Sequence, residues 1–373
     1  MKILSIVGAR PQFVKSFPIS KEIERYHKQG HEIKEVLLHT GQHYDYNMSK
    51  IFFNQLSLKE PDYNLEVGSG PHGEQTGEML GGIERIIFKE NPDLVLIYGD
   101  TNSTLAGALS GVKCQIPVAH VEAGLRSYNM KMPEEINRIL ADRISSFLFC
   151  PTKNAVENLK SEGFEKFNYF NSKFPKPNIY FSGDVMYDAF LSCKKILNPS
   201  TQIQKLTEEY NRFYLATVHR AENTDSKLNL KNIAQAFEEI SKDTPIIFPI
   251  HPRTREKLKI YNISINKTIL IDPVGYFDML YLLEKCNGVL TDSGGLQKEA
   301  YFSKKSCIIL RNETEWTELV KIGANVLVGT KKYDIIEAMR NIPETRLNGN
   351  EIYGNGNASE KIVEFLHNAI IGF

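Results

Sequence analysis

Cysteine is scarce and unpatterned in this 373-residue chain: Cys114, Cys150, Cys193, Cys286 and Cys307 show no CxxC spacing. Cys150 and Cys307 lie in apolar runs and read as small core residues in a reducing compartment. Net charge is lacking as well. Lys+Arg and Asp+Glu both number 45, so no global field steers the chain toward nucleic acid or an anionic membrane. No apolar run approaches the roughly 18 residues needed to span a bilayer. Met1-Lys2 leads straight into a strand-like run with no signal peptide, and the expected location is cytoplasmic. Nucleotide fingerprints are missing too: Gly8-Ala9-Arg10-Pro11-Gln12-Phe13 is not GxGxxG, and no GxxxxGK[ST] occurs. Both NAD and a P-loop nucleotide are thereby disfavoured.

What is present is the composition of a globular enzyme, 42% hydrophobic and 24% charged, in a chain long enough for two domains. Short apolar runs alternate with helical patterns from end to end. That rhythm predicts α/β architecture, with parallel strands covered by helices on both faces. Strands are expected near 3–7, 34–40, 93–98, 116–119 and 147–150, then near 179–182, 213–218, 245–250, 268–273, 288–291, 306–310 and 325–328. Residues 58–72 read as a loop. The polar, proline-bearing stretch 163–177 marks the boundary between an N-terminal domain, 1–172 with 357–373, and a C-terminal domain, 173–356. The two are expected to face a cleft, with the last helix crossing back to the first domain.

Candidate site residues fall where strands end. Gly8 to Pro11 turns into a helix whose N-terminus suits an anion, with Arg10 in the turn and Lys15 just beyond. Asp100 follows the strand at 93–98, Glu122 follows the next, and Glu134 opens a helix behind Pro133. Arg138, one turn after Glu134, can pair with it or hold an anion. Glu135 reads as an ordinary capping or surface ion-pair residue. His43 is either a cleft residue or a loop histidine, and His251 is equally open. His219 ends a strand beside Arg220 and Glu222. The segment Thr291-Asp292-Ser293-Gly294-Gly295-Leu296-Gln297-Lys298-Glu299 is the strongest local motif. Its glycines permit close approach of a diphosphate to a helix N-terminus, and Glu299 is placed for two ribose hydroxyls. Arg311 could assist with the phosphates, and Tyr276 sits in a turn that could close over a flat ring. A nucleotide sugar would fit such parts: UDP on Ser293 to Glu299, the sugar among Asp100, Glu122 and Glu134.

In order along the chain stand Gly8-Ala9-Arg10-Pro11, Gly41-Gln42-His43, Gly99-Asp100-Thr101, His120-Val121-Glu122-Ala123-Gly124-Leu125-Arg126, Pro133-Glu134-Glu135 with Asn137-Arg138, His219-Arg220-Ala221-Glu222-Asn223, His251-Pro252 and Asp292-Ser293-Gly294-Gly295. Over essentially its whole length the chain resembles the non-hydrolysing UDP-N-acetylglucosamine 2-epimerases. The resemblance implies two Rossmann-like domains arranged as in GT-B glycosyltransferases, usually in a homodimer. It implies anti elimination of UDP to 2-acetamidoglucal and re-addition, without metal or NAD, in supplying cell-surface polysaccharide precursors. Asp100, Glu122 and Glu134 would be the acid/base carboxylates, with His219 near the phosphates. Arg10, Ser293, Gly294, Glu299 and Arg311 would hold UDP, and Lys15 and Arg138 would line the sugar-phosphate site.

Departures from the family pattern lie at Ala9-Arg10-Pro11-Gln12, where many members have Thr-Arg-Pro-Glu, at Tyr44 to Met48, and at His72 to Gln75. In the better-known bacterial form the last two regions help bind a second, activating UDP-GlcNAc. The variant motifs look like the branch containing UDP-2,3-diacetamido-glucuronate 2-epimerases, so a modified UDP-sugar is the alternative substrate. Rival readings are a GT-B glycosyltransferase, a hydrolysing epimerase and a non-catalytic nucleotide-sugar sensor.

Overall fold

The computed structural model describes residues 1–42, 59–166, 176–341 and 352–371. His43 and the segment Tyr44 to Met48 lie outside the described residues, as does the side chain of Arg10. The chain divides into two compact units, one of residues 1–192 with 351–373 and the other of 193–350.

In the first unit the apolar runs become parallel strands: β1 (Lys2–Val7), β2 (Lys34–His39), β3 (Tyr63–Asn64), β4 (Leu94–Tyr98), β5 (Val118–Val121), β6 (Phe147–Cys150) and β7 (Asn178–Phe181). Among the described residues they form one sheet in the order β3-β2-β1-β4-β5-β6-β7. Ile6 pairs with Leu38 on one side and Ile97 on the other, and all three are fully buried. Such strands are apolar on both faces because helices cover both, and for that reason they lack the alternation of a half-exposed sheet. On one face Leu4, Ile6, Val95 and Ile97 pack with Met79 and Ile83 of the helix His72–Glu90.

Two features depart from the sequence reading. The stretch 58–72 contributes the short edge strand β3, and just after it Leu65 N–H donates to His39 O at 2.9 Å. The strand expected to open the second domain is instead β7, paired with β6 from Phe147↔Asn178 to Cys150↔Phe181. The crossover between them carries the helix Lys153–Ser161, and the chain returns beside the strand it has just left. Residues 178–192 thus lie in the first unit, not beyond a division at 172/173. The C-terminal helix Ala358–Ile371 belongs to the first unit as well. Asp188 accepts from the N–H groups of Ala358 (3.1 Å) and Ser359 (2.7 Å) and caps its start. Phe365 packs edge-on against Phe147 and Phe149.

The second unit repeats the plan with β8 (Tyr214–Thr217), β9 (Ile246–Pro249), β10 (Ile269–Ile271), β11 (Val289–Thr291), β12 (Cys307–Ile309) and β13 (Asn325–Leu327), ordered β10-β9-β8-β11-β12-β13. One face packs Phe248 and Leu290 on the helix Lys227–Ile240, and the other packs Leu215 and Ile309 on Leu282 and Leu296. Each sheet reverses its strand order once, between β1 and β4 and between β8 and β11. In doubly wound sheets the carboxyl ends of the strands flanking such a reversal are the usual ligand position. No helix among the described residues is long and apolar enough to cross a membrane.

Candidate active site

Asp100 sits at the first unit's switch point, just after β4. Gly99 turns the chain with φ 63°, and a Cβ there would stand 3.2 Å from the Lys15 ammonium. Glu122 follows β5 with φ 74°, a left-handed conformation that a non-glycine residue adopts at a cost of about 1–3 kcal/mol. The N–H groups of Glu122 and Ala123 both donate to Phe149 O at 3.1 Å, which holds this bend. The Glu122 carboxylate, 7% exposed, is ion-paired with Lys15 from the helix Arg10–Lys28. Arg138 donates to Asp100 at 2.5 Å, so Asp100 and Glu122 are each held by a cation. Glu134 is half-buried in the first turn of the helix Pro133–Ile144.

Glu135 corrects the sequence reading. It is 0% exposed and accepts from Ser127 N, Ser127 Oγ and Tyr128 N at 2.8 to 2.9 Å, and from Arg138 Nη1 at 2.7 Å. It is neither a cap nor a surface pair. It fixes the loop 127–128 and aims Arg138 at Asp100. Glu135, Arg138 and Asp142 recur at helical spacing on the inward face, which is a polar core face legible in the sequence. Asp142, fully buried, accepts from His120 Nδ1 (2.7 Å), Gly124 N (3.1 Å) and Arg126 Nη1 (2.6 Å). Burial opposes its charge, but His120 and Arg126 hold its carboxyl below the usual range. Asn137 donates to Asp100 O at 3.0 Å and ties the same helix to the β4 turn.

Gln12 accepts from Gly8 N and Ala9 N and donates to Tyr98 O at 2.7 Å and Thr104 Oγ1 at 3.0 Å. A carboxylate could only accept, so the amide at this position bridges β1 to β4 in a way that a glutamate cannot.

In the second unit the organiser at the switch point is Asp292, which the sequence reading placed in its strongest motif without giving it a role. It is 0% exposed and accepts from His219 N, Arg220 N and Asn223 Nδ2 at 3.0 to 3.1 Å. Its carboxylate stands 3.5 Å from His219 Nδ1. Burial lowers the pKa of His219, and Asp292 opposes that shift. His251 caps the helix Pro252–Ile260 through Arg253 N at 3.2 Å, with its ring 5.9 Å from that of His219. The helix Gly294–Phe302 starts behind Ser293 as expected. Gly294 has a structural requirement of its own: a Cβ would lie 2.2 Å from Glu315 Oε1. Arg311, 2% exposed, donates to Glu222 and Glu315 at 3.0 Å each. Glu299 and Tyr276 are buried at 6% and 5%, while Gly295 opens the same helix as Gly294.

Thus two doubly wound parallel sheets each carry their polar cluster at the switch point, and the fold defines the chain as a two-domain α/β protein of the GT-B type. The profile of the family described as UDP-N-acetylglucosamine 2-epimerase matches residues 25–367, and the chain belongs to that family of isomerases. It is 52% identical to a "UDP-N-acetylglucosamine 2-epimerase homolog" of Methanococcus maripaludis, covering 99% of this chain and 100% of that one. It is 48% identical to the UDP-2,3-diacetamido-2,3-dideoxy-D-glucuronate 2-epimerase of Pseudomonas aeruginosa, over 98% of this chain and 99% of the relative. The Methanocaldococcus jannaschii UDP-GlcNAc 2-epimerase in complex with UDP-GlcNAc and UDP is similar at a TM-score of 0.87 and 44% identity, over 98% and 99%.

Proposed function

We propose that the chain interconverts UDP-GlcNAc and UDP-ManNAc for cell-surface polysaccharide precursors. One carboxylate takes the C2 proton as the C1–O bond breaks, leaving UDP and 2-acetamidoglucal. UDP then re-adds at C1 while a proton returns to C2 from the opposite face. Asp100, Glu122 and Glu134 do the acid/base work; Arg10, His219 and the N–H groups at Ser293 to Gly295 stabilise the departing diphosphate, and Glu299 takes the ribose. Lys15 and Arg138 line the sugar-phosphate site, with Arg311 and Tyr276 at the nucleotide.

The observation that carries this reading is the pairing at the first switch point, Asp100 with Arg138 and Glu122 with Lys15. Surface salt bridges would not need a left-handed glutamate; two fixed carboxylates at a sheet's ligand edge suit proton transfer. The Pseudomonas relative supports a second reading, in which the sugar carries a C3 acetamido group and a C6 carboxylate. The exposed Lys131, in the loop whose start Glu135 fixes, would meet that carboxylate. We also take the enzyme to be a cytoplasmic homodimer; the exposed Phe88, Ile136 and Leu140 support association.

Proton NMR with UDP-GlcNAc alone in deuterated water tests the proposal. UDP-ManNAc deuterated at C2 is expected. Free ManNAc would replace it with a hydrolysing reaction, and inert UDP-GlcNAc with turnover of the diacetamido-glucuronate would establish the second reading.

A further inference from the structure

His120 has a position that the reaction as described does not use. It is 0% exposed, two residues before Glu122 on β5. Its Nε2 lies 2.7 Å from the carbonyl oxygen of Gly99, beside Asp100, and its Nδ1 lies 2.7 Å from Asp142 in the helix that carries Glu134. A carbonyl oxygen and a carboxylate can only accept, so both ring nitrogens donate. The charges around the ring balance: Asp142 is shared with Arg126, and Arg126 is shared with Glu162 at 2.6 Å. One imidazole thereby touches the β4 turn and the helix start's own element while standing on the third.

We propose that His120 is a positioning residue whose two donated hydrogen bonds set the spacing of Asp100, Glu122 and Glu134. This rests on the epimerase reading above. Among side chains of suitable size, Asn places an amide near Nδ1 and Gln places one near Nε2, so His120→Asn keeps the Asp142 link and His120→Gln keeps the Gly99 link. Neither keeps both. A misplacement of about 1 Å costs about a hundredfold in rate, so each variant should lose roughly that much in kcat. The Michaelis constant for UDP-sugar and the affinity for UDP should stay near the wild-type values.

The experiment compares wild type and both variants by C2 deuterium incorporation, UDP calorimetry and circular dichroism. If wild type incorporates no deuterium from any UDP-sugar supplied, the epimerase reading fails and this proposal with it. If wild type turns over and either folded variant keeps full kcat, the positioning role alone fails. A second measurement needs no variant. Nitrogen-15 spectra of histidine-labelled wild type at neutral pH should show one buried ring with hydrogen on both nitrogens, and its absence would overturn the proposal even where the variants do not fold.

Discussion

Glu134 and Glu135 are adjacent in sequence and should respond oppositely to the same change. In Glu135→Gln the side chain keeps its shape but loses its charge, and its NH2 is set among donors: Ser127 N, Tyr128 N and Arg138 Nη1. Removing one member of a buried ion pair costs about 3–5 kcal/mol. Arg138 retains Asp100 at 2.5 Å, which places the effect near the lower end, about 3 kcal/mol. For a unit of this size each kcal/mol moves the midpoint by about 2–4 °C, so melting should fall by about 6–12 °C. Glu134→Gln alters a half-buried residue in the first turn, where charge contributes about 0.3–1 kcal/mol through the helix dipole. Its melting point should barely move, while turnover should fall by about 10²–10⁴-fold. Thermal denaturation and UDP-sugar turnover on the two proteins, side by side, make the assay. Equal melting points would refute the assignment of Glu135 as a buried organiser; full turnover in Glu134→Gln would refute its acid/base role.

Three further outcomes are expected. Glu122→Gln should leave UDP affinity near the wild-type value in calorimetry and reduce C2 exchange by about 10²–10⁴-fold, since the nucleotide contacts proposed here come from Arg10 and the second unit and none from the Glu122 carboxylate. Gly294→Ala places a Cβ 2.2 Å from Glu315 Oε1 and should disturb the Glu315 to Arg311 pair, costing about 1–3 kcal/mol and weakening UDP binding; wild-type affinity would show that Gly294 is there for another reason. Burial keeps His219 below its ordinary pKa of 6.5, against the pull of Asp292. As pH falls below about 6.5 the unfolded ring takes up a proton that the folded ring resists, so stability is lost on the acid side only. His219→Asn should reduce the difference between urea midpoints measured at about pH 7.5 and about pH 5.5, and an undiminished difference would assign the acid loss elsewhere.

The sequence by itself determined that the chain alternates strands and helices, and near which residues most of the strands end. Parallel strands buried on both faces must be continuous apolar runs, and the residue after each run must be where the chain turns toward a ligand edge. That is why Asp100, Glu122, His219 and Ser293 could be singled out without coordinates. The sequence could also number the runs, but not order them. Only tertiary pairing decided that β7 closes the first sheet, because an isolated apolar run has no mark of its neighbour. The roles of buried charges were likewise decided in three dimensions. Glu134 and Glu135 have the same side chain and the same helix, yet a 100° step around the axis leaves one half-buried and puts the other in the core. His120, Asp142 and Asp292 look like ordinary polar residues until partners from distant strands arrive. A hydrogen bond depends on where two segments meet, and that meeting is the property of the fold, not of either segment.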